Sequence, residues 1–240
     1  MFEFRVLPDA ETIASAAATD AVNILRAAIA EHGQAVWVVA GGTSPNAAYR
    51  RLAADPADLD WSKVTLVIGD ERLVPFDHPD SNWGQVMPLL TAAGAVAARA
   101  LAPNTELPPA AAAEEYQAQL EALPTTLTGA PRLDLVWVGM GEDGHTLSLF
   151  PGRSAIDEQT RMVVAVTDSP KPPPRRITLT LRALDATGRL LVFATGAGKR
   201  NALSRVRAGE ALPVGIAADR AAAGGAEVTW LVDSAADGAP

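Results

Sequence analysis

One histidine follows three closely spaced glycines, in the segment from Gly139 to His145. Neutral imidazole titrates near pH ~6.5, so His145 can accept a proton from water at physiological pH. Asp143 lies two residues earlier, and its carboxylate can fix the tautomer of the imidazole and stabilise its cation. These residue types at this spacing indicate general-base catalysis. A histidine with a structural role only is the alternative.

The glycines of this segment, Gly139, Gly141 and Gly144, also have the GxGxxG spacing of dinucleotide-binding loops. Such a loop needs a smooth entry into a helix, and here the charged Asp143 and then His145 occupy the turn. The acidic residue that would hold a ribose is also missing at the required distance. The spacing alone is therefore a weak indication of nucleotide binding.

A second candidate is the segment Gly41-Gly42-Thr43-Ser44-Pro45, which follows a continuous apolar run. Gly41 and Gly42 let the backbone come close to a ligand. Thr43 or Ser44 can cap the helix expected next, whose first turn suits Pro45. A helix start of this kind offers free N–H groups and partial positive charge to a phosphate. An ordinary strand-to-helix turn explains the same residues.

Three consecutive charged residues, Asp70, Glu71 and Arg72, follow the apolar run Val64–Ile68 and one glycine. Charges at the end of an apolar strand are costly unless they are exposed or paired, so we expect a polar turn here. Arg72 is suited either to binding a phosphate or to bracing the two carboxylates in a structural ion pair.

Basic residues form a third group of candidates. Arg175 and Arg176 follow a run of prolines, and Lys199 follows Gly196 and Gly198 at the start of an expected helix. Glycines before a basic residue at a helix start favour anion binding. The glycine-to-lysine spacing is too short for a Walker A loop. Solvated surface charge is the alternative for both groups.

Apolar runs of strand length alternate with helical patterns along the chain. The expected strands are 1–7, 35–40, 64–68, 133–138, 161–166, 190–194 and 228–232. The expected helices are 11–31, 45–54, 82–90 (capped by Ser81), 111–123 and 199–208. Runs that are apolar on both faces are typical of a parallel sheet covered by helices, so the pattern predicts an α/β fold. Residues 91–131 are interpreted as a surface excursion within one domain, 1–240.

In open α/β sheets ligands bind beyond the carboxyl ends of the strands, and the candidate turns all follow expected strands. The candidate residues are therefore expected to meet at one edge of the sheet.

The composition restricts the kinds of partner that the chain is expected to bind. A net charge of −8 argues against non-specific nucleic-acid binding, which needs a basic face. Uninterrupted apolar runs fall short of the ~20 residues that a membrane span needs, and no leader sequence is expected. The absence of cysteine excludes disulfides and fits a cytoplasmic protein. Three scattered histidines predict no metal site.

Taken in order, these segments resemble the 6-phosphogluconolactonase family along essentially the whole chain. The matching segments are Gly41–Pro45, Asp70–Arg72 with Val74-Pro75, Ser81-Asn82, Gly139–Thr146 running to Ser148–Gly152, Arg176–Thr178, and Thr195-Gly196 with Lys199. Each segment alone is unspecific, but six of them in this order are highly specific. The first loop has Thr-Ser where Ser-Thr is also common in the family.

The resemblance implies a Rossmann-like fold shared with glucosamine-6-phosphate deaminases and ribose-5-phosphate isomerases. It also implies hydrolysis of 6-phosphogluconolactone to 6-phosphogluconate, the second step of the oxidative pentose phosphate pathway, without metal or organic cofactor. Carried over by position, His145 is the general base that activates water, and Asp143 orients it.

The resemblance further implies a cationic ring around the phosphate and the developing oxyanion, made by Arg72, Arg176 and Lys199. The loop 42–44 would supply backbone donors. The remaining implied substrate-binding positions are Gly41, Asp70, Asn82 and Gly144. The sequence leaves open which cation serves the phosphate, and whether the chain is a monomer or a homodimer.

The related deaminases, which convert glucosamine-6-phosphate to fructose-6-phosphate and ammonia, are the nearest alternative. Their Asp-Gly-His segment is followed by Asn-Glu-Pro, whose glutamate assists the histidine, whereas this chain has Phe150 at that position. They have tyrosine or a similar residue after Asp-Glu, where this chain has Arg72. Both differences favour the lactonase. A non-catalytic sugar-phosphate sensor of the same fold is a further alternative, distinguished by binding without turnover.

Overall fold

Strands and helices alternate along the chain, as the apolar runs predict. The computed structural model describes residues 2–56, 58–126 and 129–238. The strands are β1 Phe2–Leu7, β2 Ala35–Val39, β3 Val64–Ile68, β4 Asp70–Arg72, β5 Arg99–Leu101, β6 Leu133–Gly139, β7 Val163–Val166, β8 Arg176–Leu179, β9 Thr187–Ala194 and β10 Glu227–Asp233. The helices are α1 Ala10–His32, α2 Thr43–Ala54, α3 Asn82–Ala92, α4 Pro109–Glu121, α5 Arg200–Arg207, α6 Pro213–Ala223 and α7 Ser234–Asp237.

Seven strands form the main sheet, in the order β1-β10-β9-β6-β2-β3-β5. Every neighbouring pair in it is parallel. All residues of β2 and β3 are buried, because helices cover both faces of the sheet. The predicted α/β class with a mostly parallel sheet flanked by helices is therefore confirmed.

The sheet reverses its direction of growth between β2 and β6. From β2 the chain adds β3 and β5 on one side, and from β6 it adds β9 and β10 on the other. A crevice forms outside the carboxyl ends of the strands at such a reversal. The turns after β2, β3, β6 and β9, which carry the candidate residues, all meet there.

Aromatic packing fixes the end of β2. Trp37 and Trp137, on neighbouring strands, meet edge to face with their ring centroids 4.8 Å apart. Tyr49 of α2 stacks on Trp137 at 5.1 Å. The hydroxyl of Tyr49 accepts from the Ala40 amide and donates to the Ala40 carbonyl, both at 3.1 Å. The last residue before the Gly41 loop is thereby held from both sides.

One edge of the main sheet is apolar and partly open to solvent. Strand β1 forms this edge and pairs only with β10. Its alternate residues Phe2, Phe4 and Val6 are 42%, 36% and 43% exposed. Phe4 stacks on Trp230 of β10, with the ring centroids 5.4 Å apart.

A second, antiparallel sheet has the order β4-β8-β7. The sequence predicts residues 161–166 as a strand, and β7 confirms it, but β7 lies in this small sheet and not in the parallel one. The interpretation of Asp70–Arg72 as a turn is wrong, since these residues form β4 and pair with Arg176–Thr178 of β8. Asp70 and Arg72 line the crevice, and the buried carboxylate of Glu71 is hydrogen-bonded to four donors.

The stretch 91–131 is more than a surface excursion, within its described residues. Strand β5 joins the main sheet beside β3. Helix α4 buries Tyr116, whose hydroxyl donates to the Ile68 carbonyl at 2.7 Å and so pins the end of β3. The sequence reasoning also missed α6, whose residues Val214, Ala217, Ala218 and Ala221 are buried at helical spacing.

Helix α1 is long and apolar enough to cross a membrane, by length and composition alone. Its most apolar stretch has a mean hydropathy of 1.3, and 44% of that stretch is buried within the fold. Ile13 and Leu25 face the interior. Asp9 caps its start and Gly33, with φ of 77°, ends it. Core helices satisfy the same length and hydropathy criteria, so α1 is weak evidence for a membrane span.

Candidate active site

A cleft of about 720 Å³ opens at the crevice, a volume typical of sites for small molecules. Of the twelve residues that the sequence singles out for the site, ten line it. These are Gly41, Gly42, Thr43, Ser44, Asp70, Arg72, Asn82, His145, Arg176 and Lys199. The other two, Asp143 and Gly144, lie in the turn that carries His145. The sequence candidates therefore converge on one place.

The turn after β6 holds His145 through two glycines. The Gly141 amide donates to the His145 carbonyl at 2.8 Å, and the Gly144 amide donates to the Gly141 carbonyl at 3.0 Å. Gly144 has φ of 82°, a conformation that L side chains rarely adopt. A Cβ on Gly141 would lie 1.9 Å from Nδ1 of His145. Glycine is thus required there so that the imidazole can fold back over the turn.

His145 and Asp143 form a hydrogen-bonded pair. Nδ1 of the imidazole lies 2.5 Å from Oδ1 of Asp143. Nε2 has no hydrogen-bond partner in the described part of the chain, and His145 lines the cleft. The ring of Phe150 packs against the imidazole, with the centroids 4.6 Å apart. The carboxylate therefore fixes the tautomer with Nδ1 protonated and leaves Nε2 free to accept a proton.

Burial and the contact between the two side chains together set the protonation states of this pair. Burial lowers the pKa of His145 below its usual value, although the hydrogen bond and charge of Asp143 act in the opposite direction. Burial disfavours ionisation of Asp143, but the hydrogen bond and charge of His145 and the charge of Lys171 outweigh it and lower the pKa of Asp143. At neutral pH the pair is a neutral imidazole beside a carboxylate, the form that a general base requires.

Arg176 lies at the wall of the cleft, and most of its N–H groups are hydrogen-bonded to the protein itself. Its side chain is buried, and Nε donates to the Pro173 carbonyl at 3.0 Å. Nη2 donates to the carbonyls of Lys171 and Pro172, at 3.0 and 3.2 Å. Nη1 donates to Ser148 Oγ at 3.4 Å. Of the five N–H groups of a guanidinium, one is left for a ligand.

Asp70 organises the part of the cleft next to Arg176. Its carboxylate accepts from Ser148 Oγ at 2.6 Å and from Asn82 Nδ2 at 3.2 Å. Arg176 Nη1 lies 3.9 Å from Oδ2 of Asp70. Asn82 also donates to the Asp70 carbonyl at 2.9 Å, and its amide fills the space where a Cβ of Gly41 would lie. Gly41 is needed for this close approach between the turn after β2 and the start of α3.

Glu71 of β4 is buried against the start of α3, and the sequence analysis assigns it no role of its own. Its carboxylate accepts from the backbone amides of Arg72, Asn82 and Trp83 and from Ser81 Oγ, at 2.6 to 3.0 Å. Burial raises the pKa of Glu71 in spite of these four donors. Ser81 caps α3 as predicted, accepting from the Gly84 amide at 2.9 Å. Glu71 therefore has a structural role at the positive end of a helix.

Arg72 braces a loop and still faces the cleft. Nη1 donates to the Asp80 carbonyl at 2.7 Å, so the contact is with a carbonyl rather than with the carboxylates. Its buried Nε has no partner among the residues described. An unpaired buried N–H of a cation is costly, which favours an anion as its partner when the cleft is filled.

Two lysines complete the positive charge of the cleft. Burial lowers the pKa of Lys199, with Glu142 acting in the opposite direction and Lys171 adding repulsion. Lys171 lines the cleft as well, and its Nζ lies 3.7 Å from Oδ1 of Asp143. The sequence reasoning missed Lys171, because it lies inside the Pro-rich segment before Arg175 rather than after a strand. Lys171 lies close to Asp143 and His145 only because the loop that carries it folds over the cleft.

The N-terminus of α2 adds a partial positive charge to the cleft. The prediction that Thr43 or Ser44 caps this helix is wrong, since Gly42 occupies the cap position with φ of 112° and makes no side-chain hydrogen bond. The hydroxyl of Ser44 instead lies 2.5 Å from that of Thr195. The first amides of α2 therefore lack a capping side chain, as they do in helix starts that bind phosphate.

The described residues contain no cluster of three or more His, Cys, Asp and Glu side chains with the geometry of a metal site. Three carboxylates at the cleft are instead paired: Asp70 with serine and asparagine, Asp143 with histidine, and Asp233 with a backbone amide. These residues can support proton transfer at His145. They can also stabilise anions through the cations Arg72, Lys171 and Lys199 and through the start of α2.

The chain matches known proteins along nearly its whole length. Residues 8–230 match the family described as Glucosamine-6-phosphate isomerases/6-phosphogluconolactonase. The chain belongs to this family. The 6-phosphogluconolactonase of Mycobacterium tuberculosis is 38% identical over 246 residues, which cover 95% of this chain and 94% of that protein. The 6-phosphogluconolactonase of Pseudomonas putida is 38% identical over 211 residues, which cover 86% and 84%.

Solved structures of the family agree with the fold described above. The 6-phosphogluconolactonase from Trypanosoma brucei superposes with a TM-score of 0.82 at 26% identity, covering 98% of this chain and 97% of that one. The membership that the order of the motifs predicts is therefore confirmed.

The residue that packs on His145 lies at the position where the sequence analysis expects a glutamate in the deaminases. Position 150 is a phenylalanine, buried and packed against the imidazole, so no carboxylate side chain assists the histidine from there. The Arg176 guanidinium lies on the same Phe150 ring, 5.5 Å from its centroid. An apolar neighbour suits a base that must stay neutral until it takes a proton from water.

Proposed function

We propose that this chain hydrolyses 6-phospho-D-glucono-1,5-lactone to 6-phospho-D-gluconate in the oxidative pentose phosphate pathway. The observation that carries the proposal is the His145–Asp143 pair, with 2.5 Å between Nδ1 and Oδ1, in a cleft that is also lined by the cations Arg72, Lys171 and Lys199. The relatives that are 38% identical are named for this activity.

His145 acts as the general base in the proposed mechanism. Nε2 takes a proton from a water molecule as its oxygen forms a bond with the lactone carbonyl carbon, and the carbonyl electrons move onto oxygen. The resulting imidazolium is stabilised by Asp143. The intermediate then collapses, the bond between the carbonyl carbon and the ring oxygen breaks, and the proton returns from Nε2 to that oxygen. Proton transfer of this kind contributes about 10²–10⁴-fold.

The cations and the start of α2 bind the charged parts of the substrate. A phosphate dianion needs several donors, and Arg72 has an unpartnered buried Nε. The first turn of α2 and Lys199 offer further donors. Arg176 acts mainly through its hydrogen bonds to the protein and less by binding the substrate, since only one of its N–H groups is free. Binding of the phosphate holds the lactone carbonyl against the attacking water, which is how positioning lowers the barrier.

The decisive experiment follows 6-phosphogluconate formation from lactone that is generated in the cuvette, with the spontaneous rate subtracted. The variants are His145→Gln, Asp143→Asn and the control His32→Gln. His32 lies at the end of α1 that precedes β2, at the edge of the sheet opposite the cleft. We expect His145→Gln to lose about 10²–10⁴-fold in kcat, and His32→Gln to match the wild type.

Three results would count against the proposal. Wild type that does not exceed the spontaneous rate would exclude the lactonase. Turnover of glucosamine-6-phosphate, measured as ammonia release, would indicate the other chemistry of the family. Binding of the sugar phosphate without turnover of either substrate would indicate a sensor.

We also propose that residues 1–240 form one domain that acts in the cytoplasm as a monomer or homodimer without metal. The pairing of β1 with β10 in one sheet supports a single domain. The acidic net charge of −8 supports the absence of a nucleic-acid partner. Light scattering after gel filtration measures the oligomeric state, and activity that resists EDTA would support metal independence.

A further inference from the structure

Lys171 lies beside the catalytic pair but on a different part of the chain. Its Nζ is 3.7 Å from Oδ1 of Asp143, the same oxygen that lies 2.5 Å from Nδ1 of His145. One carboxylate oxygen is thus placed between an imidazole and an ammonium. The segment that carries Lys171 follows β7, whereas Asp143 and His145 follow β6.

The backbone at Lys171 is held in place by hydrogen bonds. Its amide donates to Ser169 Oγ at 3.2 Å, and its carbonyl accepts from the same hydroxyl at 2.8 Å. The Ser169 amide donates to the Pro174 carbonyl at 3.1 Å, which closes the loop. The side chain of Lys171 is 45% exposed, so this fixed backbone is what keeps the ammonium near Asp143.

Arg176 clamps the same loop from inside. Its guanidinium donates to three consecutive carbonyls, those of Lys171, Pro172 and Pro173, at 3.0 to 3.2 Å. A buried guanidinium with this many carbonyl partners is a rigid anchor, because its planar fork fixes the direction of each bond. A lysine at position 176 would keep the charge and lose this geometry.

We propose that Lys171 is a third, charged member of the His145–Asp143 pair, and that Arg176 is a positioning residue that places Lys171 there through the carbonyls of residues 171–173. The proposal rests on the proposed function for its catalytic meaning. It differs from the cationic ring implied by the family resemblance, in which Arg176 acts on the substrate and Lys171 has no part.

The charges that face His145 come from three separate parts of the chain. Asp143 lies on its own turn, Asp70 lies after β3, and Lys171 lies after β7. The two carboxylates raise the pKa of His145, whereas burial, the largest effect, and the ammonium of Lys171 lower it. Lys171 also lowers the pKa of Asp143. Removal of the Lys171 charge should therefore raise the pKa of His145 and make the base protonated over a wider range of pH.

The test titrates the imidazole of His145 by NMR, with the resonance assigned by its loss in His145→Gln. Lys171→Met removes the charge at similar length, Lys171→Arg keeps it, and Lys63→Met is the control. Lys63 is half exposed and lies 3.5 Å from an aspartate of its own, Asp60, at the edge of the sheet opposite the cleft. The acid limb of the kcat/KM profile for lactone hydrolysis is measured in parallel.

We expect Lys171→Met to move the His145 titration to higher pH, and to lower kcat/KM at pH 6 by about tenfold. Lys171→Arg and Lys63→Met should titrate as the wild type does. A titration that stays unchanged in Lys171→Met overturns the proposal. If the titration moves as expected but no variant, the wild type included, hydrolyses the lactone, the proposed function fails and the charged triad stands.

The role of Arg176 is tested by a double-mutant cycle. Arg176→Lys should move the His145 titration in the same direction as Lys171→Met, because the loop is released. In the Lys171→Met background, Arg176→Lys should add no further shift. An undiminished shift in that background would mean that Arg176 acts on the site directly. Circular dichroism and thermal unfolding verify that each variant is folded, and Arg176→Gln serves as a second variant.

Discussion

Substitution of Gly141 by alanine should abolish most of the proposed activity and leave the fold intact. The new Cβ would lie 1.9 Å from Nδ1 and 2.2 Å from Cε1 of His145, and 2.5 Å from Oδ1 of Asp143. Ordinary contact begins at 3.4 Å, so the imidazole must move by about 1.5 Å. A misplacement of about 1 Å can cost 10²-fold in rate, and we expect kcat to fall by at least about 100-fold.

The fold should survive because Gly141 lacks the positive φ of Gly144, and because the clash is with a side chain that can rotate. Urea unfolding should give a free energy within about 1 kcal/mol of the wild type. Gly215→Ala is the matched control, since its Cβ would meet no atom closer than 3.6 Å. A Gly141→Ala variant with wild-type kcat would refute the placement of the base. A loss of activity equal to the loss of folded protein would refute the reasoning as well.

Three further outcomes are expected. Glu71→Gln should lower the free energy of unfolding by about 1.5–3 kcal/mol, because the amide sets a donor against the Trp83 N–H, and urea titration measures it. An unchanged midpoint would contradict this role. The kcat/KM profile of the proposed activity should have its acid limb below pH 6.5, since burial lowers the pKa of His145 from its usual value of 6.5 and the neutral form is the active one. An acid limb centred above pH 7 would contradict this. Unphosphorylated gluconolactone should react at least about 100-fold more slowly in kcat/KM, because its phosphate contacts are lost, and equal turnover would show that phosphate is not recognised.

The parallel sheet was predictable from the sequence because its strands are buried on both faces. Val64–Ile68 and Leu133–Val138 have no polar alternation to suggest anything else, and both are strands of the main sheet. The short strand β5 was missed because Arg99 and Ala100 are exposed and only Leu101 is buried. A three-residue edge strand leaves no periodic pattern in the sequence.

The small sheet was harder to predict because its pairing joins distant parts of the chain. Asp70 pairs with Thr178, more than a hundred residues away, and a local run of three charges predicts only a turn. In the site, too, local contacts are easier to predict than contacts between distant parts of the chain. His145 and Asp143 are neighbours in sequence, so their contact is predictable from spacing and a glycine turn.

The roles of the basic residues depend on contacts that sequence reasoning cannot reach. Arg176 was expected to bind the substrate, yet most of its N–H groups are bonded to loop carbonyls. Lys171 has no local feature that separates it from a solvated lysine. It is near Asp143 only because the loop folds back over the cleft.

The pairing of β1 with β10 has a consequence for synthesis of the chain on the ribosome. Strand β1 leaves the exit tunnel before its partner β10, which begins at Glu227, 220 residues after Leu7. At about 5–20 residues per second, β1 waits some 11–44 s for its partner. During that time Phe2, Phe4 and Val6 belong to an unpaired apolar strand. Nascent chains that stall before Glu227 should therefore be the ones that chaperones bind and proteases remove.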